Sequence, residues 1–218
     1  MLKAFSGICV GMMVVAGCSG VSGEITAPAQ SAPKTVDAGR LRSALLSAPS
    51  GMRVSYGPES GPYGSLKATK QGEAAMQRAK LHEPGCSGIG QLDSKQMASS
   101  PAAVVAFSSD KGTITEALVA TTVFPGPLPA RCADYKATVG TTKVTYKTVT
   151  VEMPKLGEES RAFITTATSK GTTAQIGAVL VRRAGVVVSL LVVGADVQRD
   201  GLIQLGRLAD EQLAKTLA

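Results

Sequence analysis

The chain has 218 residues and a formal net charge of +7, with 44% hydrophobic and 18% charged residues. These fractions are typical of a globular protein and argue against a disordered chain. The basic residues are dispersed and are not interleaved with aromatics, which disfavours a nucleic-acid partner. The charge fits either attraction to anionic lipid headgroups or acidic wall polymers, or a solvated surface without such a partner.

The N-terminus carries the features of a secretory signal. Lys3 precedes an apolar run over residues 4–16, and small residues follow in Val15-Ala16-Gly17. A basic start, an apolar stretch and a small-residue cleavage site define such signals. The run is shorter than the roughly 20 residues that cross hydrocarbon, so we expect no retained transmembrane helix.

The residues around Cys18 resemble the lipobox of bacterial lipoprotein signal peptides. The resemblance implies that residues 1–17 are removed and that Cys18 becomes the new N-terminus. A thioether-linked diacylglyceryl group and an acyl chain such as palmitate on its amine would then anchor the protein at the extracytoplasmic face of the cell membrane. The alternative is an ordinary signal cut near Ala16-Gly17, with Cys18 an incidental thiol.

The segment after Cys18 predicts a tether. Residues 19–36 are rich in Ser, Gly, Pro and Ala and show no hydrophobic period, which is typical of a flexible linker. The predicted organisation is a signal peptide at 1–17, a lipidated cysteine and tether at 18–36, and one extracytoplasmic domain at 37–218.

Two cysteines remain for the domain, because Cys9 lies in the signal and Cys18 is assigned to lipid. An even pair in an exported chain predicts a disulfide between Cys86 and Cys132. The alternatives are free thiols or a metal site, and a metal site would need carboxylate ligands because His82 is the one histidine. No cofactor is predicted.

The first half of the domain gives modest secondary-structure signals. Asp37 suits the N-cap of a helix whose apolar face carries Leu41 and Leu45, and Pro49 ends it. Later elements are a short strand at 52–56, a loop at 57–64, a helix or ordered loop at 72–80 and a short helix at 89–97.

The second half is richer in strand signals. Apolar runs at 102–108 and 113–123 flank a turn and predict a β-hairpin, and Pro129 starts a short helix through Cys132 and Tyr135. Strands are predicted at 143–153, with a bulge between Tyr146 and Val149, and at 161–168, 173–182 and 186–193. The last is almost wholly apolar, as in a central strand covered on both faces, and a helix follows from Asp200.

These elements predict an α+β fold, with one antiparallel sheet of five or six strands packed by short N-terminal helices and a C-terminal helix. The layout resembles the PknH-like extracellular sensor domains of actinobacterial membrane kinases. The shared parts are Leu41 to Leu46, Pro84-Gly85-Cys86, the hairpin, Cys132, the strands from Val144 to Val193, and Gln212 to Leu217. The chain departs from that family in having one disulfide-capable pair instead of two and in lacking Trp. The resemblance implies a ligand-binding or sensing domain of unknown ligand.

No catalytic constellation emerges from the sequence. His82 beside Glu83 is the one conventional base, and no Gly-x-Ser-x-Gly elbow occurs. We therefore predict a non-enzymatic domain with a pocket lined by apolar side chains, and no catalytic or metal-binding residue. Predicted partners are the membrane, through the covalent lipid, and either a small apolar ligand or an envelope protein. The alternatives are a cell-envelope hydrolase that uses His82, and a structural envelope protein without a pocket.

Overall fold

The computed structural model describes residues 36–86 and 88–217. The predicted signal peptide, Cys18 and nearly all of the tether lie outside these ranges. The helices and strands are α1 Ala38–Ala44, β1 Arg53–Pro62, α2 Lys67–Gln77, β2 Ala79–Leu81, β3 Pro101–Ser109, β4 Gly112–Ala120, β5 Asp134–Val139, β6 Thr142–Val151, β7 Glu159–Ser169, β8 Thr172–Arg183, β9 Val186–Gly194 and α3 Arg199–Leu217. Short 3₁₀ turns occupy Tyr63–Ser65, Pro84–Cys86 and Ala130–Cys132.

The strands form one antiparallel sheet in the order β1-β3-β4-β9-β8-β7-β6-β5-β2. The predicted α+β class is confirmed, but the described residues hold nine strands, so the prediction of five or six was wrong. β2 and β5 were not predicted. They are short, and β2 is a strand because it pairs with β5 at the sheet edge, which is a contact between distant segments.

The two faces of the sheet carry separate hydrophobic cores. On the first, which we call the helix face, α1 and α3 pack over Val105, Leu118, Val179 and Val188, among others. On the second, the cavity face, Val104, Ala117, Phe163, Leu180 and Val187 pack under Tyr63, Leu66, Leu92 and Met97. Alternate residues of β9 enter the two cores, so its prediction as a central strand covered on both faces is confirmed.

α1 follows its sequence signals. The backbone N–H of Arg40 donates to Asp37 Oδ1 at 2.8 Å, which caps the helix. Leu41 and Leu45 are buried, as their spacing predicts. The guanidinium of Arg40 donates to the backbone carbonyl of Thr216, which ties α1 to the end of α3.

Three local predictions were wrong. Residues 57–64 are not a loop, because β1 continues to Pro62 through a register shift between Tyr56 and Glu59. Residues 89–97 form turns instead of a helix. The helix expected through Tyr135 is a 3₁₀ turn that ends at Cys132, because β5 begins at Asp134 to pair with β6.

The bulge predicted in β6 is also absent. The β6–β7 register runs without a shift from Thr145–Thr168 to Val151–Ala162. The apolar alternation slips because Thr148 points to the cavity face, where its hydroxyl hydrogen-bonds to that of Thr165 at 2.9 Å. A satisfied polar pair replaces an apolar one, and the backbone ladder is unchanged.

The connection from β1 to β2 joins opposite edges of the sheet, so it crosses the cavity face. It contains α2, and no α2 residue is buried. We call this crossing segment, residues 63–78, the arch. It roofs the space described below.

The chain from Thr35 to Ala218 forms one compact unit. The nine strands, both cores and the disulfide all lie within it, so it carries the contacts needed to fold by itself. In the part of the chain that the structure describes, no helix is long and apolar enough to span a membrane.

Candidate functional site: a cavity beneath the arch

A cavity of about 440 Å³ lies between the arch and the cavity face of the sheet. Its floor is made by alternate residues of four adjacent strands: Tyr56, Val104, Ala106, Thr115, Ala117, Ser189 and Leu191. The central floor positions carry small side chains. Ala106 pairs with Thr115, and Ala117 lies between Val104 and Ser189. Small side chains there leave a space that the thinly packed helix does not fill.

A second cavity of about 550 Å³ adjoins the first, between α2, β2 and the turns at 88–95. The two share Glu73, Met76, Gln91, Leu92 and Ser94 as lining residues. The hydroxyl of Ser94 donates to Glu73 Oε1, which joins the turns to the arch at the boundary. The two cavities therefore adjoin each other at this hydrogen bond.

The N-terminus of α2 is held from β1. Leu66 stands at the N-cap and offers no side-chain acceptor. The Glu59 carboxylate instead accepts the backbone N–H of Lys67, at 2.9 Å to Oε1 and 3.1 Å to Oε2, and also the Tyr56 hydroxyl. A carboxylate at a helix N-terminus replaces the missing cap and suits the helix dipole. Glu59 thus fixes one end of the roof.

These contacts set the charge of Glu59. Desolvation acts to raise its pKa, but the hydrogen bonds from the Lys67 amide and the Tyr56 hydroxyl outweigh it, so the pKa lies below its usual value. The same carboxylate raises the pKa of Tyr56, because the phenol hydroxyl donates a hydrogen bond to it. Tyr56 therefore lines the cavity as a neutral phenol whose hydroxyl already donates a hydrogen bond to Glu59.

The rest of the lining is largely apolar, with polar groups at its margins. Tyr63 is buried, and burial together with the charges of Glu73 and Asp93 raises the pKa of its hydroxyl. The Ser189 hydroxyl donates to the Gly90 carbonyl at 3.4 Å. Apolar walls with a few polar groups suit a ligand held mainly by hydrophobic burial and oriented by one or two hydrogen bonds.

The disulfide supports the wall of the second cavity. Cys86 and Cys132 are bonded and fully buried, and they join the turn after β2 to the turn before β5. The wall residues of this segment begin at Gly88, two positions after Cys86. The bond therefore fixes the start of this segment against the paired strands β2 and β5.

His82 lies away from the cavities. It is exposed, and its backbone N–H donates to the Lys136 carbonyl at 2.9 Å. It lines neither cavity. The hydrolase hypothesis required this residue in a cleft with a partner, and the structure places it on an outer strand edge. Among the described residues, no cluster of three or more His, Cys, Asp or Glu side chains could hold a metal ion.

A pocket lined by apolar side chains was predicted, but none of its residues was. Tyr56 immediately precedes the Gly- and Pro-rich stretch 57–64, which was predicted as a loop, and Glu59 lies within it. A carboxylate eight positions before Lys67 carries no recognised capping signature. The capping role of Glu59 exists because β1 brings it back to the start of α2.

The sequence matches no protein-family profile, and no curated protein is significantly similar. Solved structures that share the fold include the following two. The extracellular domain of PknH from Mycobacterium tuberculosis has 14% identity and a TM-score of 0.53, over 85% of this chain and 98% of that domain. An uncharacterized protein from Mycobacterium smegmatis, an Rv0999 ortholog, has 14% identity and a TM-score of 0.51, over 86% of this chain and all of the other. The chain therefore has the fold of the PknH extracellular domain.

Proposed function

We propose that this protein is a membrane-anchored extracytoplasmic lipoprotein whose domain binds a small apolar ligand in the cavity beneath the arch, without catalysis. The observation that carries the ligand-binding proposal is a largely apolar space of about 440 Å³ under a helix that has no buried residue. Volumes of about 300–1,000 Å³ are usual for small-molecule sites.

The arch is the element that would respond to the ligand. Met76 lines both cavities and is 37% exposed. A ligand that covers its side chain adds apolar burial to a helix that has little, and each square ångström so buried contributes about 25 cal/mol. Occupancy therefore orders α2 and the Glu73–Ser94 contact. This supports a sensor-like role, as does the fold shared with the extracellular domain of PknH.

The anchoring part of the proposal rests on the sequence Val15-Ala16-Gly17-Cys18. A buried disulfide suits the oxidising exterior of the cell. Two or more acyl chains at Cys18 would hold the protein stably at the membrane, where one chain gives only marginal binding.

The ligand site is tested with N-phenyl-1-naphthylamine, a neutral apolar dye whose fluorescence rises on burial. Ala106→Trp fills the cavity floor, and Ala174→Trp, at an exposed position outside the lining, is its control. We expect saturable binding of one dye by the wild type and the control, and at least about tenfold weaker binding by Ala106→Trp. Equal binding by both variants, or none by the wild type, would remove the cavity as the site and favour a structural role.

A further inference from the structure

Four lysines that are dispersed in the sequence lie on one face of three adjacent strands. Lys80 of β2 lies opposite Thr138 of β5, which lies opposite Lys143 of β6. Lys136, two residues before Thr138 on β5, and Lys147, four residues after Lys143 on β6, lie on the same face of the sheet. We call this group, Lys80, Lys136, Lys143 and Lys147, the lysine face. It belongs to the helix face, because Val151 stands on the same side of β6 and packs in that core.

All four lysines are exposed. The residues between them are mainly threonines, Thr138 opposite Lys143 and Thr145 opposite Lys136. Among the described residues, Asp134 is the one carboxylate in this grid, opposite Lys147, and every ion pair found uses arginine. The lysine face therefore carries four positive charges against one carboxylate, Asp134.

The spacing places the four lysines in one positive patch. Strands about 4.8 Å apart and residues about 3.4 Å apart along a strand put the Cβ atom of Lys136 about 8 Å from those of the other three lysines. That separation is about one Debye length at physiological salt, so an approaching anionic surface meets the four charges together. The register through β2, β5 and β6 has no shift, so the surface that presents them is regular.

We propose that the lysine face docks on the surface of an anionic lipid bilayer. The choice of a bilayer follows from where the chain enters the domain, and so rests on the proposed lipid anchor at Cys18. α1 packs on the helix face over β1 and β3, on the same side of the sheet as the lysine face and near the opposite edge. The roughly 18 residues between Cys18 and α1 span about 20–25 Å as a flexible coil, which keeps the domain near the headgroups.

Docking in this way orients the molecule. The cavities lie on the opposite side of the sheet, beneath the arch. The lysine face turns toward the headgroups, and the arch turns away from them. The ligand site then remains open while the domain rests on the membrane.

The test uses the compact unit of residues 35–218, which has no acyl chain, in sedimentation with lipid vesicles. Vesicles of phosphatidylcholine alone are compared with vesicles that contain roughly one third phosphatidylglycerol, and salt is raised from about 0.1 M to about 0.5 M. The test variant changes Lys80, Lys136, Lys143 and Lys147 to Gln. The control changes four exposed lysines elsewhere, Lys67, Lys70, Lys111 and Lys155, to Gln. Both variants have the same net charge, and thermal melts verify that both fold.

We expect the wild type to prefer anionic vesicles and to lose that preference in high salt. Each basic residue near such a surface contributes about 1 kcal/mol, or about fivefold in binding, so the lysine-face variant should lose at least about tenfold and the control less than about threefold. Equal losses in both variants, or no preference for anionic vesicles, would overturn the proposal. Binding to soluble polyphosphate but not to vesicles would assign the lysine face to a soluble polyanion and also overturn it. Neither result bears on the ligand cavity or on lipidation of Cys18.

Discussion

Glu116 of β4 accepts a hydrogen bond from the backbone N–H of Leu46 at 2.8 Å. Glu116 is fully buried, between Val105 of β3 and Leu190 of β9. Its second oxygen, Oε1, has no hydrogen-bond partner among the described residues. The contact holds the segment between α1 and β1 to the sheet, at the cost of a buried carboxyl group that is only partly satisfied.

Glu116 makes stability depend on pH. Desolvation raises its pKa to about 7 from an ordinary value of 4.5, although the Leu46 amide opposes the shift. The folded state therefore retains a proton that the unfolded state releases. Ionisation of the group costs no stability below about pH 4.5 and destabilises the fold increasingly up to about pH 7, by about 3 kcal/mol at the plateau.

Glu116→Gln should remove this dependence, because the amide keeps an acceptor for Leu46 and has no charge to desolvate. Relative to the wild type, we expect equal stability near pH 4 and higher stability at pH 8, measured by chemical denaturation across this range. Glu152→Gln is the control, because that side chain is 95% exposed. A constant difference between wild type and Glu116→Gln at every pH would contradict the prediction.

Glu59→Ala should loosen one end of the arch. It removes the carboxylate that caps α2 at Lys67, and loss of a cap costs about 1 kcal/mol. We expect faster hydrogen exchange of the amides in the first turn of α2, with β9 amides unchanged. Because the pKa of Glu59 is lowered, its contribution is present above the ordinary value of 4.5 and is lost as pH falls through the lowered pKa.

The control for this change is Glu83→Ala, at an exposed position beyond β2. It should leave exchange in α2 as it is in the wild type. Uniformly faster exchange across the sheet in Glu59→Ala would mean that Glu59 supports the whole fold and not the arch.

The cysteines should have separable roles. Cys86→Ser removes the disulfide to Cys132, which spans a sequence separation of 46 residues. In the chain-entropy treatment this bond contributes roughly 4 kcal/mol to the free energy of unfolding. We expect a lower melting temperature with membrane attachment retained. Cys18→Ala should release the protein or block its processing while the melting temperature of the domain stays the same.

The measurements are thermal melts, cell fractionation and the intact mass of membrane-extracted protein before and after reduction. Wild-type protein should start at Cys18 with added acyl mass and should gain two hydrogens on reduction. If both variants lost attachment and stability alike, the assignment of cysteine roles would be wrong.

Much of the fold was predictable where neighbouring residues specify the structure. The Asp37 cap and the spacing of Leu41 and Leu45 are local, as is the turn between β3 and β4. The apolar run 186–193 indicated a central strand because covering both faces leaves no polar alternation. These elements would form in the same way in many folds.

The candidate site was not predictable to that degree. Glu59 reaches α2 only because β1 continues through a segment with loop composition. Tyr56, Ala106, Thr115 and Leu191 come from four strands and share a floor through their register. No local pattern encodes such a register, since a shift of one residue would turn each side chain to the other face.

The sequence by itself determined the α+β class, most strands, the terminal helix α3 and the two cysteines available for a disulfide. It also carries the lipobox-like residues on which anchoring at Cys18 is proposed. Only the tertiary structure decided the nine-strand order, the crossing of the arch, the burial of Glu116 and the placement of Lys80 and Lys143 on one face of the sheet. The reason is that local signals act through neighbouring dihedral angles and side chains, whereas these features arise when strands distant in sequence pair.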